Sequence, residues 1–128
     1  MSVESNRKLV EEFWARMGKN DFRGAAGLLH DRYLLEWPQS KERVRGRENF
    51  VAINENYPAA GPWQVALRRI VAGDDGVVTE ATVTDGRTTG VAITFSEILD
   101  NKIVHQVEYW PDPFEAAAWR SKWVERSA

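Results

Sequence analysis

From Trp63 onward the hydrophobic pattern of this chain changes period, and that switch constrains the fold more than any other feature. Before it, apolar residues recur three and four positions apart; after it, they alternate with polar ones. Three turn signals divide the alternating part: "GDDG" at 73–76, "DG" at 85–86 and "DN" at 100–101. The spacing predicts strands over 63–72, 77–84, 87–99 and 102–110, joined in order as a meander.

Tight turns also set register. A two-residue turn at Asp85-Gly86 pairs Glu80 with Val91 and Val78 with Ile93; one at Asp100-Asn101 pairs Phe95 with Gln106 and Ile93 with Glu108. The "GDDG" turn pairs Arg69 with Glu80. With strict alternation, one face then carries Trp63, Val65, Leu67, Arg69 and Val71 from the first strand. It also carries Val78, Glu80, Val91, Ile93, Phe95, Glu97, Gln106, Glu108 and Trp110. That face, mostly large and apolar, is expected to wall a binding cavity. The other face, with Val77, Thr79, Ala81, Ala92, Thr94, His105 and Tyr109, is smaller and of mixed polarity. It is expected to be solvated or to pack on a second copy.

Upstream, Ser5 precedes a helical stripe of Leu9, Val10, Phe13, Trp14 and Met17 that stops at Gly18. Asn20 or Asp21 caps a short second helix through Leu29. "YLLEWP" reads as a brief strand ended by Pro38, whose nitrogen has no proton to donate. "GRENFVAINENYP" reads as a third helix with Phe50, Ile53, Asn54 and Tyr57 on one stripe. The last segment, "PFEAAAWRSKWVE", predicts a helix or turn that carries Phe114, Ala118, Trp119 and Trp123, with Trp119 or Trp123 near the mouth of the cavity.

At 128 residues and 43% hydrophobic content, residues 1–128 are read as one domain. A net charge of -2 supplies no basic field for nucleic acid, and "KERVRGRE" at 41–48 reads as a solvated loop before a helix. With no cysteine, no apolar leader and no membrane-length run, a cytoplasmic, bacterial-type protein is expected. His30 reads as a helix end. No metal-ligand spacing, glycine-rich phosphate loop or nucleophile elbow is present, so no metal or other cofactor is expected.

Three helices with a short strand, followed by a meander whose last strand ends "EYW", resemble the nuclear-transport-factor-2-like superfamily, especially its SnoaL-like bacterial members. The segments "NDFRGAAGLLHDRYLLEWP", "GRENFVAINENYP" and "KIVHQVEYWPDP" carry the resemblance, which spans roughly residues 5–123. It implies an α+β fold, a cone-shaped, curved mixed sheet wrapped around three N-terminal helices with an internal pocket. Isomerases, cyclases, dehydratases, epoxide hydrolases and noncatalytic binders share this fold. At the positions of the ketosteroid isomerase acids and tyrosine this chain has Trp37, Phe13 and Phe95, none of which abstracts a proton or holds an oxyanion. The Asp-Arg-Asp set of limonene-type epoxide hydrolases is also missing from "VAITFSEI". SnoaL-like polyketide cyclases work with one carboxylate in an apolar pocket, and the resemblance gives that role to Glu108.

On this register Glu108 has Trp110 and Gln106 along its strand, Ile93 opposite and Phe95 diagonal. Burial among them predicts a pKa above the ordinary carboxylate range, as a general acid or base near neutrality requires. A glutamate held by Gln106 or by a group of the first helix for structural reasons is the competing reading. Glu80 shares the predicted face but opposes Arg69, as a structural ion pair would. Phe13, Trp14, Trp37, Tyr57 and Trp63 are expected to line the helical side, with Asn54 and the Tyr57 hydroxyl orienting one polar group of a ligand. Together these expectations describe a cofactor-independent acid-base enzyme of cyclase, isomerase or hydrolase type for an apolar cyclic or aromatic molecule. The alternative is a noncatalytic binding or dimerisation module. Either form is expected to be a homodimer through the smaller-residue face, taken as the outward, convex one.

Overall fold

A computed structural model describes residues 2–127. Helix α1 (Val3–Gly18) opens on a reciprocal cap in which Ser2 Oγ accepts the Ser5 N–H and Ser5 Oγ accepts the Ser2 N–H. It therefore begins ahead of Ser5, and its stripe of Leu9, Val10, Phe13 and Trp14 is buried. Asp21 caps α2 (Phe22–Ala26) by accepting the Gly24 N–H.

Strand β1 (Leu29–Trp37) is longer than the sequence pattern suggests. It takes in Leu29 and His30, both expected in or at the end of a helix, because Leu29 pairs with Ile103 and is itself fully buried. Part of the basic "KERVRGRE" segment is also a strand, β2 (Glu42–Arg45), drawn against β1 by the buried Val44. Gly46, at a φ of 85°, turns the chain from β2 into α3 (Arg47–Glu55), whose Phe50 and Val51 enter the core.

The remaining strands are β3 (Gln64–Ala72), β4 (Gly76–Thr84), β5 (Thr89–Leu99) and β6 (Lys102–Tyr109). The meander predicted from period and turns is therefore present, with β1 pairing in parallel to β6 and every other pair antiparallel. The result is a six-stranded, curved, unclosed mixed sheet in the order β2-β1-β6-β5-β4-β3, with the helices against its concave face.

Register departs from the tight-turn expectation in three places. The β4–β5 connection spans four residues and pairs Thr84 with Thr89, because Asp85 Oδ1 accepts both the Arg87 and Thr88 N–H groups. This shifts the pairing by two and leaves the faces unchanged. The β5–β6 turn has two residues, Asp100 and Asn101, both at positive φ, and pairs Leu99 with Lys102 as expected. A bulge then follows: Ile98 pairs with Ile103 but Glu97 with His105, so Val104 is extra. Beyond it Glu108 pairs with Thr94 and Gln106 with Ser96, one residue off the turn-set register. A second bulge at Arg68 separates the Leu67–Ala81 pair from Arg69–Glu80.

Each bulge reverses side-chain parity along its strand. The concave face therefore combines Val65 and Leu67 of β3 and Gln106 and Glu108 of β6 with the small set Val77, Thr79, Ala81, Ala92, Thr94 and Ser96. Arg69, Val71, Val78, Glu80, Ile93, Phe95 and Glu97 face the convex side instead. The assignment of faces by bulk is corrected accordingly: the smaller-residue face is the inner one, since small side chains let α1 approach closely enough to pack. Trp14, for example, lies against the sheet and donates its Nε1–H to Thr79 Oγ1 at 3.1 Å. Among the described residues, no helix is long and apolar enough to cross a membrane.

Candidate functional site

Between the helices and the concave face lies a cavity of about 650 Å3. Phe13, Trp14 and Met17 of α1, Phe50, Ile53 and Asn54 of α3, and Leu35 and Trp37 of β1 form its apolar walls. Its rim is made by Tyr57, Pro58, the Asp85–Thr88 turn and Pro111–Pro113. The volume falls within the range of small-molecule sites.

Of the residues picked out from sequence, Phe13, Trp14, Trp37, Asn54, Tyr57, Trp63, Gln106, Glu108 and Trp110 all line this cavity. Glu80 and Phe95 do not. The Val104 and Arg68 bulges leave both on the convex face, where Phe95 is 47% exposed and Glu80 binds Arg69 at 2.6 Å. The Phe95 position of the resemblance is therefore corrected; the inward residues of β5 are Ala92, Thr94 and Ser96. Trp119 and Trp123 are also absent from the cavity mouth and lie exposed on the C-terminal segment.

Glu108 is only 8% exposed and is the buried carboxyl of the described chain. Strand β6 lies between β1 and β5, so partners reach it from both sides. From the end of β1, Trp37 donates its Nε1–H to Oε1 at 3.0 Å, and Trp110 Nε1–H donates to the same oxygen at 2.9 Å. From β5, Thr94 Oγ1 donates to Oε2 at 2.7 Å. The Trp110 ring packs closely over Gly90, where an added Cβ would come within 3.2 Å of the indole. Burial raises the Glu108 pKa above the ordinary carboxylate range, and the bonds from Thr94, Trp37 and Trp110 recover only part of that cost.

The two oxygens are chemically unlike. Indole N–H groups only donate, so Oε1 is an acceptor whether or not the carboxyl is protonated. The Thr94 hydroxyl both donates and accepts. A proton on Oε2 is accommodated by reversing that bond, so that Thr94 Oγ1 accepts it. The arrangement thus supports both protonation states and directs proton exchange to one oxygen.

Beneath Glu108 runs a second polar line that the sequence reading left out. Tyr33 O–H donates to Gln106 Oε1, and Gln106 Nε2 donates to Ser96 Oγ at 3.0 Å. Burial, then the nearby Glu108 charge, pushes the Tyr33 pKa well up, so it remains a donor. Gln106 is thereby held by its own partners, which removes it as the holder of Glu108. Thr94, Tyr33 and Ser96 left one signal: hydroxyls at positions that alternate with core aliphatics and would be unpaired if buried alone. Asn54 Nδ2 donates to Phe50 O at 2.9 Å and keeps a second N–H, while Tyr57 is 57% exposed at the rim. Among the described residues, no group of three or more His, Asp or Glu side chains is placed to hold a metal ion.

A model of the SnoaL-like domain matches residues 10–106 of the chain. The crystal structure of a putative ketosteroid isomerase from Kribbella flavida is 27% identical and covers 98% of this chain and 91% of its own, with a TM-score of 0.90. That of an NTF-2 like protein of unknown function from Burkholderia xenovorans is 30% identical and covers 98% and 97%, with a TM-score of 0.80. An LEH-like epoxide hydrolase of M. tuberculosis, 21% identical over 84% of each chain with a TM-score of 0.71, shares the fold. No curated protein matches the sequence.

Proposed function

The chain belongs to the SnoaL-like domain family, and we propose that it is a cofactor-independent acid-base enzyme in which Glu108 moves a proton on a largely apolar, cyclic or aromatic small molecule. The observation that carries this reading is the pair of unlike oxygens on Glu108. A buried carboxyl with a pKa raised above the ordinary carboxylate range and a reversible Thr94 partner is suited to take up and return a proton. Phe13, Trp14, Trp37, Trp63 and Trp110 supply flat apolar surface for rings, and Asn54 and Tyr57 orient one polar group from the opposite wall.

One proton carrier limits the chemistry. The tyrosine and glutamine beneath Glu108 are committed to each other and to Ser96, so neither is free to stabilise a localised oxyanion beside Glu108. The substrate class that fits is a molecule whose own conjugation spreads the negative charge left after deprotonation. Its reprotonation or ring closure elsewhere gives an isomer or a cyclised product. Proton transfer from β1, where position 37 is tryptophan, is replaced here by transfer from β6. On this reading the protein is a cytoplasmic homodimer, paired through the convex face.

Glu108→Gln is the decisive variant. Its amide oxygen still accepts both indole N–H groups and its NH2 donates to Thr94, so the cavity is preserved and only the proton is lost. Quenching of tryptophan fluorescence by conjugated ring compounds is expected to be unchanged in Glu108→Gln, while turnover of any compound the wild type converts is abolished. Equal turnover in both proteins would end the reading. Because the three hydrogen bonds on Glu108 also anchor Trp37 and Trp110, a binding module without chemistry is the second reading. Ligand binding by both proteins with no product from either would establish it.

A further inference from the structure

The cavity is one-sided in charge. Glu108 stands in its wall, and Asp85 and Asp112 stand at its rim. Asp85 is ionised throughout the neutral range, because the Ala60, Thr88 and Arg87 N–H groups that bond its carboxylate hold its pKa at about 2. Among the described residues, no lysine, arginine or histidine lines the cavity; Arg87, in the rim turn, is not itself a lining residue. A hollow of about 650 Å3 that offers negative charge and no positive charge repels anions and draws in cations.

The walls carry matching chemistry. Phe13, Trp14, Trp37, Phe50, Trp63 and Trp110 line the cavity, and Tyr57 adds a ring at the rim, 5.1 Å from that of Trp63. The face of an aromatic ring is negative and attracts an organic ammonium, tryptophan most strongly. Trp37 and Trp110 turn their N–H edges to Glu108, so the ionised carboxylate polarises both rings and makes their faces more negative. Indole N–H groups that could receive an anion or a carbonyl are mostly taken. Trp14 donates to Thr79, and Trp37 and Trp110 donate to Glu108, so only Trp63 of the four cavity indoles has an unbonded N–H among the described residues. Asn54 Oδ1, by contrast, accepts no bond among the described residues and is available to an ammonium N–H.

We infer that the ligand of this cavity is an organic cation, a ring compound whose positively charged nitrogen is conjugated with the carbon that exchanges a proton with Glu108. The proton step rests on the acid-base reading given above; the choice of a cation rests on the cavity alone. Such a substrate has no need of an oxyanion donor. When the Glu108 carboxylate takes a proton from a carbon next to a C=N+ group, the C–H electron pair becomes a C=C bond and the C=N π pair becomes a lone pair on nitrogen. The iminium is turned into a neutral enamine, and no negative oxygen forms. Return of that proton at another carbon of the conjugated system restores the cation as an isomer. The positive ligand also favours the ionised form of Glu108 that the first step requires, against the cost of burial.

Calorimetric titration of the full chain at neutral pH, with three probes of nearly one shape, tests this. They are meta-hydroxyphenyltrimethylammonium, its neutral carbon analogue meta-tert-butylphenol, and the anion meta-hydroxybenzenesulfonate. The cation is expected to bind at least about tenfold more tightly than the neutral probe, and the sulfonate more weakly than either. Glu108→Gln and Asp112→Asn keep the side-chain shape and remove one charge each, so both should narrow the gap between cation and neutral probe while the neutral probe binds as in wild type. Trp119→Ala/Trp123→Ala, at exposed positions outside the cavity, should change nothing. Loss of cation binding in that variant would put the cation on the C-terminal segment and overturn the inference. A cation bound no better than the neutral probe, or not at all, or a gap unchanged in both charge variants, overturns it as well and leaves the acid-base reading of Glu108 standing. Tight cation binding with equal turnover by wild type and Glu108→Gln removes the proton step and spares the ligand class.

Discussion

Replacing Thr94 by valine probes the site without touching its carboxyl. The side chains are close in shape and Thr94 is fully buried, so the change amounts to one lost O–H donor on Glu108 Oε2. A hydrogen bond to a charged group is worth about 1.5–3 kcal/mol, and the added methyl returns up to about 0.8 kcal/mol. The expected net loss is roughly 1–2 kcal/mol where Glu108 is ionised, or about 3–8 °C in Tm for a domain of this size. The pH dependence has a definite sign. Burial raises the Glu108 pKa on folding, so the protonated carboxyl is the better-accommodated form. Its contribution is complete below the pKa of glutamate in the unfolded chain and is lost as pH rises through the higher folded value. Valine removes a donor that serves the ionised form, pushes this pKa further up, and makes the variant lose more stability over the same rise. The gap between wild type and Thr94→Val should therefore widen with increasing pH. In the Glu108→Gln background the lost bond is neutral and is worth about 0.5–1.5 kcal/mol, so the same change costs less. Urea unfolding of the four proteins, at pH 4 and pH 7, measures all of these terms. A gap under about 0.5 kcal/mol at pH 7, or one that is the same at both pH values and in both backgrounds, would refute the account of Glu108.

Two further outcomes follow from the polar groups around the cavity. Tyr33→Phe strips Gln106 Oε1 of its buried donor and should cost about 1–3 kcal/mol in urea unfolding while leaving ligand binding intact. Asp85, whose pKa is lowered to about 2 by N–H groups of Ala60, Thr88 and Arg87, ties the rim turn to the residues before β3. That contribution is present above the ordinary aspartate range and lost as pH falls through about 2. Asp85→Ala should accordingly lower the exchange protection of the Ala60, Arg87 and Thr88 amides at neutral pH, measured against the wild type at the same pH.

Much of this architecture is legible because it is local. The stripe of α1, the Asp21 cap and the Asp100-Asn101 turn all depend on residues within four positions of one another, and each is where the pattern puts it. The alternation likewise puts Glu108 inside with Trp63, Val65, Leu67 and Trp110, and these residues share its side of the sheet. The partners across β4 and β5 were misassigned, because Arg68 and Val104 sit in bulges that no glycine or proline marks. Bulk was also a poor guide to the inner face. Ala81, Ala92, Thr79 and Thr94 are small because α1 presses on them, whereas Val71, Phe95 and Tyr109 are large on the outside.

That failure has a physical cause. An alternating strand reports which side chains leave water, and it does so identically whether a helix of the same chain or a separate molecule covers them. Both faces of β5 are largely apolar over residues 91–95, a pattern expected of a strand covered on two sides. Helix α1 and its neighbours cover one side. On the proposed homodimer reading the other is covered by a second copy, and the large side chains of the convex face are its interface. Charge on the convex face is thus a test of that logic: Phe95→Glu should leave unfolding of the isolated chain near its wild-type value, since the side chain already meets water there, and act on association alone.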